Sequence, residues 1–286
     1  MTIIKAIILG IIQGLAEFLP ISSSGHLALA KGFFGMEEAP MAFDVFLHLG
    51  TLIAVFAIYY KDIFEIIKEF FGICADIIAN IITFFKGDKK YRKIIKTPYR
   101  RFTVLVIVST IPTAIIGVLL KDIVKKSGET LLIPGICLLV TAVMLFVSDN
   151  LKDGNKTEKN TSWWNALFIG ACQGVATMPG ISRSGTTITA GLVSGLKRDF
   201  VVKYSFIMSI PAILGAVVLE IPKMKGSLST VPASCYVVGV ITSAIVGYIC
   251  IKAMLVIVKK KKFKYFSYYC ALIGIAAIIG HFVMKK

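Results

Sequence analysis

Apolar residues along this chain fall in long blocks, separated by short basic or glycine-rich stretches. A bilayer crossing takes about 20 mainly apolar residues at about 1.5 Å rise each. Six blocks suit that length: residues 45–60, 102–120, 131–148, 204–221, 235–258 and 266–284. The first is short and is expected to extend at its N-terminal end. Residues 62–85 differ, because apolar and charged positions alternate there at helical spacing. That pattern predicts an amphipathic helix lying at the membrane interface. The expected fold is an all-α polytopic membrane protein, a single integral membrane domain over 1–286.

Two further apolar segments, 3–29 and 163–192, each break halfway at Pro and Gly and carry a polar cluster at the break. They match each other at an offset of 160: over 10–25 against 170–185, eight of sixteen positions are identical. Gln13/Gln173, Gly14/Gly174, Ser22/Ser182 and Ser24/Ser184 are among them. The chain therefore reads as two repeats, 1–150 and 160–286. Each has a re-entrant broken helix followed by three transmembrane helices. Three crossings is an odd number, so the repeats are expected to have inverted topology, with their two broken tips meeting inside the membrane.

Composition agrees. Of 286 residues 56% are hydrophobic and 17% charged, and the mean hydropathy is +0.81. A disordered chain, a disulfide-stapled miniprotein and an ordinary soluble enzyme are excluded on these values. The net charge of +16 sits mainly in short loops, where basic residues meet anionic lipid headgroups, so the partner expected is the lipid bilayer and no nucleic acid. If loop 61–101 is cytoplasmic, that side carries 21 Lys and Arg against 9 opposite, termini included, which sets the orientation. The six cysteines lie in apolar stretches without a C-x-x-C pair and read as small buried hydrophobes. The 3–29 segment mimics a signal peptide, but its polar interruptions and its recurrence mark it as mature chain. Gly10-x-x-x-Gly14 and Gly170-x-x-x-Gly174 are small-residue packing faces, which also leave a homodimer open. Trp163, Trp164, Tyr265, Tyr268 and Tyr269 read as interfacial aromatics, and Lys252 as snorkelling or paired.

Candidate chemistry gathers at the two breaks. Irregular backbone at membrane depth must be buried in protein or line a wet cavity. The second break reads PGISRSGTT before an apolar helical run. Backbone N–H groups at that helix start, the helix dipole and the planar fork of Arg183 make a phosphate cradle. Ser182, Arg183, Ser184 and Thr187 are its candidate phosphate-binding residues, joined by Ser22 and Gln13 of the first break. The first break supplies Gln13, Glu17, Ser22, Ser23, Ser24 and His26. Gln13 and Glu17 share a helix face at i, i+4. Glu17 there ligates a divalent cation, accepts a proton, or pairs with Arg183. Mg²⁺ or Ca²⁺ would suit its oxygen chemistry together with substrate phosphate. His26 lies three positions after Ser23, the arrangement of a base beside a nucleophile. His48 and His281 read as packing or interfacial residues, with His48 also placed to line the cavity.

QGLAEFLPISSSGH at 13–26 and PGISRSGTT at 179–187 closely resemble the two signature regions of the undecaprenyl-diphosphate phosphatase family, the bacitracin-resistance type. The similarity extends over the whole chain in length, block order and the lysine-rich late loop. The resemblance implies a multi-pass protein of the bacterial inner membrane. It implies removal of the terminal phosphate from a polyprenyl diphosphate lipid, undecaprenyl diphosphate, with release on the outer side. This recycles the lipid carrier for cell-wall synthesis. It carries the acidic motif to Gln13 and Glu17, the serine turn to Ser22, Ser23 and His26, and the second motif to Ser182, Arg183, Ser184 and Thr187. The family allows Glu or Gln at the first acidic position, and Gln stands there in this chain.

The expected activity is thus an intramembrane phosphatase. Ser23 is the nucleophile, His26 takes and returns its proton, Glu17 holds a cation or orients His26, and Arg183 stabilises the transition state. A rival mechanism has metal-bound water attack directly. A rival function is a secondary transporter or flippase for the same lipid, since opposed broken helices are also transporter architecture.

Overall fold

The structure is a computed structural model that describes residues 1–33, 41–87, 90–127, 130–224 and 231–284. Lys89, Lys225, Lys285 and Lys286, counted above for the orientation, lie outside the described residues. Ten α-helices are described: α1 Ile3–Phe18, α2 Ser23–Phe33, α3 Met41–Phe85, α4 Pro98–Ser127, α5 Leu132–Asn150, α6 Trp163–Val175, α7 Arg183–Val193, α8 Arg198–Glu220, α9 Ala233–Lys259 and α10 Lys264–Met284. Among the described residues, six helices are long and apolar enough to cross a membrane. They are α3, α4, α5, α8, α9 and α10, and each covers one expected span except for Leu131 before α5 and Ile221 after α8. The chain is an all-helical, polytopic membrane protein.

The two broken segments fold as helix pairs. α1 and α2 have 16 and 11 residues, about 24 and 17 Å at about 1.5 Å per residue. α6 and α7 have 13 and 11 residues. Each is shorter than the roughly 30 Å hydrocarbon thickness. Pro20 follows the extended C-cap Leu19, and Ser22 adopts a left-handed φ of 70°. In the second tip the corresponding turn is made at Gly180, φ 93°.

Small residues set the helix approach. A Cβ on Gly14 would stand 2.7 Å from Val246 Cβ in α9. One on Gly174 would stand 2.7 Å from Ile116 Cβ in α4. Thr113 of α4 donates to the Gly170 carbonyl at 2.8 Å. Both G-x-x-x-G faces are therefore buried inside the chain, and this ground for a homodimer is removed. α5 packs along α10, where Ser267 donates to the Ala142 carbonyl at 2.7 Å. Phe18 meets Phe206 edge to face at 5.3 Å beneath the site.

Residues 62–85 are helical but not a separate element. They continue α3, and Tyr59 (φ −106°, ψ 22°) is the one position inside α3 that leaves helical values. The helix is amphipathic as expected. Phe64, Phe71, Ile78 and Phe85 are exposed on one face. Asp62, Glu69 and Asp76 hold the other face to the chain beyond. Asp76 pairs with Arg100 and with Lys96 at 2.7 Å, and Glu69 takes Arg100 at 2.6 Å. Asp62 accepts from Tyr99 and from Lys203 at 2.9 Å each. All six cysteines are free. Lys252 lies 4.4 Å from the Tyr248 ring centroid, a cation–π contact. Between α5 and α6, Asp153 accepts from Arg198 at 2.6 Å and pairs with Lys261 at 3.2 Å. These hydrogen bonds hold its carboxyl below the usual aspartate range.

Candidate active site

The two tips meet. Ser22 Oγ accepts the Gly180 N–H at 3.2 Å, joining one break to the other. The left-handed Ser22 then places Ser23 as the first residue of α2. Arg183 is the first residue of α7. The offset of 160 that relates the segments pairs these two positions, so the repeat itself delivers a hydroxyl and a guanidinium to the same place.

Glu17 lies between them. Its side chain is 4% exposed. One carboxylate oxygen, Oε1, accepts from Arg183 Nη2. The other, Oε2, accepts from Ser23 Oγ at 2.7 Å and from Gln13 Nε2 at 3.0 Å. His48 Nδ1 stands 3.4 Å from Oε2. Arg183 Nη1 is buried and has no hydrogen-bond partner. A buried unpaired guanidinium nitrogen is costly, and a phosphate oxygen would satisfy it.

These groups border a cavity of about 400 Å³. Glu17, Ser23, Ser24, His48 and Arg183 form its polar end, with Thr113, Gln173 and Thr177 beside them. Val45, Ala212, Ile213, Ala216 and Val217 form an apolar wall. Asp44 and Glu220 also line it, and Asp44 pairs with Lys31 at 2.6 Å. Ser23 opens α2, so the first-turn N–H groups of that helix begin beside the cavity.

Not every expected residue reaches this place. His26 is not the partner of Ser23. Its Nδ1 lies 2.9 Å from the Ser22 carbonyl, and its Nε2 lies 2.7 Å from the Tyr269 hydroxyl. The ring stacks on Tyr269 at 5.5 Å. Ser23, the first residue of α2, turns its hydroxyl back to Glu17 of α1, whereas the His26 ring is held by the Ser22 carbonyl and by Tyr269 of α10. Tyr269 is correspondingly a partner of His26 rather than only an interfacial aromatic. The phosphate-binding expectation also changes. Ser182 caps α7 by accepting the Gly185 N–H at 3.2 Å. Ser184 reaches the Leu19 carbonyl at 3.5 Å, and Thr187 lies 2.5 Å from the Ser205 hydroxyl. These three and Ser22 are buried and absent from the cavity lining, so they build the tips and leave the cavity to Arg183, Ser23 and Ser24. Gln13 is fully buried behind Glu17.

Glu17 as a metal ligand fits poorly. Both its oxygens are engaged, Oε1 by the Arg183 cation and Oε2 by the Ser23 and Gln13 donors, surroundings that disfavour a second positive charge. Among the described residues no group of three His, Cys, Asp or Glu side chains could hold a metal ion. His48 lines the cavity, one of the placements expected for it, and Gln173, Thr113 and Thr177 enter the lining in addition. Their signals were present: Gln173 mirrors Gln13, Thr177 mirrors Glu17, and His48 is a polar interruption of an apolar span.

Residues 6–276 match the family model described as Bacitracin resistance protein BacA. The chain belongs to the BacA family. Its relatives in that family include the undecaprenyl-diphosphatase of Methanosphaera stadtmanae, 45% identical over 280 residues and 97% of both chains. The undecaprenyl-diphosphatase of Alkaliphilus metalliredigens is 41% identical over 98% of both. That of Desulforapulum autotrophicum is 40% identical over 99% of this chain and 100% of its own. The BacA match runs through both tips, so the Glu17–Ser23–Arg183 constellation lies inside the shared region.

Proposed function

We propose that this BacA-family chain hydrolyses undecaprenyl diphosphate to undecaprenyl phosphate and inorganic phosphate, recycling the lipid carrier of cell-wall synthesis and conferring bacitracin resistance. The observation that carries the chemistry is a serine hydroxyl bonded to a buried carboxylate that also holds an arginine with an unsatisfied donor. The diphosphate enters the polar end of the cavity and the prenyl chain follows the apolar wall. Arg183 Nη1 and the first N–H groups of α2 bind the terminal phosphoryl group and stabilise charge on its oxygens in the transition state. Ser23 Oγ attacks the terminal phosphorus as Glu17 takes its proton. The bond to the bridging oxygen breaks, and undecaprenyl phosphate leaves. Water then cleaves the phosphoserine, and Ser23 regains its proton. His26 fixes the start of α2 through the Ser22 carbonyl and Tyr269. Glu17, with both oxygens engaged, is not reserved for Mg²⁺ or Ca²⁺; a divalent cation, if needed, would supply only neutralisation of the diphosphate charge.

The same reading includes the inverted repeats, 1–150 and 160–286, with re-entrant segments 3–29 and 163–192. Support comes from the packing: α1 lies on α9 of the other half, α6 lies on α4 of the other half, and α5 pairs with its counterpart α10. Each half-helix of the tips is too short to cross. The amphipathic part of α3 lies at the interface, the basic loops face the cytoplasm, and the site opens to the outer side of the inner membrane.

The test is phosphate release from undecaprenyl diphosphate by the purified protein in detergent, with Mg²⁺, with Ca²⁺ and with chelator. Release that Arg183→Ala abolishes supports the reading. Tight lipid diphosphate binding without release would make the chain a transporter or flippase.

A further inference from the structure

We propose that His48 is the proton relay of this site, drawing off through Glu17 the proton that Ser23 gives up; this rests on the phosphatase reading above. His48 lines the cavity from α3. Its Nδ1 is 2.7 Å from Gln13 Nε2 and 3.4 Å from Glu17 Oε2, the oxygen that accepts the Ser23 hydroxyl. The Gln13 amide is oriented by that same carboxylate, since only its NH₂ group can face Oε2 at 3.0 Å. An NH₂ group facing Nδ1 requires a lone pair there. The imidazole is therefore held as the tautomer with its proton on Nε2 and its accepting nitrogen beside Glu17.

Chemistry supplies the need. Glu17 holds Arg183 only while it is charged, so a proton left on Glu17 would weaken the contact that positions the phosphate-binding group. Passing it to His48 restores the carboxylate. Ser23 Oγ bonds to phosphorus, and the bridging P–O bond breaks. Its proton moves to Glu17 Oε2 and on to His48 Nδ1. During dephosphorylation the attacking water supplies the phosphate oxygen and a proton, and His48 returns its own, leaving Ser23 and Glu17 as they began. The charged groups around the imidazole are Glu17 from α1, Arg183 from α7 and Asp44 one turn earlier on α3, with Glu220 of α8 on the same cavity.

The repeat provides an internal comparison. At the offset of 160, the position matching His48 is Met208. Gln173 reaches it as Gln13 reaches His48, but only at the backbone carbonyl, 3.4 Å away. The two halves share the glutamine socket, and only the half that carries Glu17 and Ser23 fills it with a base.

The experiment measures phosphate release from undecaprenyl diphosphate by the full chain in detergent, for wild type, His48→Gln, His48→Ala, Ser23→Ala and Arg183→Ala. Removing a positioned acid–base group is expected to lower kcat by about 10²- to 10⁴-fold. KM should change little for both His48 variants. Gln keeps a hydrogen-bonding side chain but cannot relay a proton, so His48→Gln should not rescue. Added imidazole should restore His48→Ala in proportion to its concentration, with more basic imidazoles working better, and leave Ser23→Ala unmoved. His48→Gln turning over like wild type would overturn the relay. So would a folded, slow His48→Ala that imidazole does not accelerate. Normal turnover by Ser23→Ala would instead sink the phosphatase mechanism beneath it.

Discussion

Cutting the Glu17–Arg183 pair should cost stability and activity by separable amounts. The pair joins the two tips across a buried site, with side-chain exposures of 4% and 17%. Arg183→Ala leaves Glu17 as a buried carboxylate, and breaking a buried pair on one side costs about 3–5 kcal/mol. Ser23 and Gln13 still donate to Oε2, which places the expected loss near the lower figure. In Glu17→Gln/Arg183→Met no charge is stranded, and a buried pair exchanged for neutral groups of similar volume is close to neutral. Unfolding in detergent, followed by far-UV circular dichroism, should therefore show the double variant more stable than Arg183→Ala. Activity should not follow stability. Loss of an arginine that stabilises phosphoryl-transfer charge costs about 10³- to 10⁵-fold, so both variants should be inactive. Purely additive stability losses in Glu17→Gln, Arg183→Met and the double variant would refute the coupling between the two side chains.

Three other changes test the scaffold. Gly14→Val drives a side chain into Val246 and the Ser243 carbonyl, 2.7 and 2.9 Å from the first added carbon; a loss of about 1–3 kcal/mol or more is expected in the same unfolding measurement. Gly180→Ala forces a Cβ onto a φ of 93° and to 2.8 Å from Cys137 Cβ. The left-handed strain alone is about 1–2 kcal/mol, and activity should fall with it because Gly180 anchors Ser22. Asp153 contributes stability while it is ionised, because its folded carboxyl titrates lower than the unfolded one. That contribution is complete above the ordinary aspartate pKa of about 4 and is lost as the pH falls below it. Unfolding temperatures of wild type and Asp153→Asn should converge as the pH is lowered from 6 towards about 3; parallel curves would contradict the linkage.

Much of this was legible in the sequence, for identifiable reasons. Long apolar blocks can only cross a bilayer, so the six spanning helices followed from hydropathy. The internal match located both tips, and an arginine within an apolar segment marked the place where Arg183 meets Glu17 at the cavity. The helix periodicity of 62–85 gave its amphipathic face, but nothing in the pattern separated a distinct helix from a continuation of α3 kinked at Tyr59. Side-chain direction was the part that sequence spacing could not supply. Three residues separate Ser23 from His26, yet the start of α2 sends one to Glu17 and the other to Tyr269. Likewise Ser182, Ser184 and Thr187 have phosphate-binding chemistry, but caps and interhelical contacts consume it. His48 lies 25 positions from Ser23 in the sequence and comes to the site only through the packing of α3 against α1.

The proposed mechanism has Ser23 itself attack the terminal phosphorus. It is tested most directly by acid-quenching the purified protein during turnover of undecaprenyl diphosphate and locating phosphate on its peptides by mass spectrometry. A phosphoserine at position 23 should form and decay at rates consistent with phosphate release, with Ser23→Ala unphosphorylated and inactive. Sustained phosphate release by Ser23→Ala at the wild-type rate would contradict it.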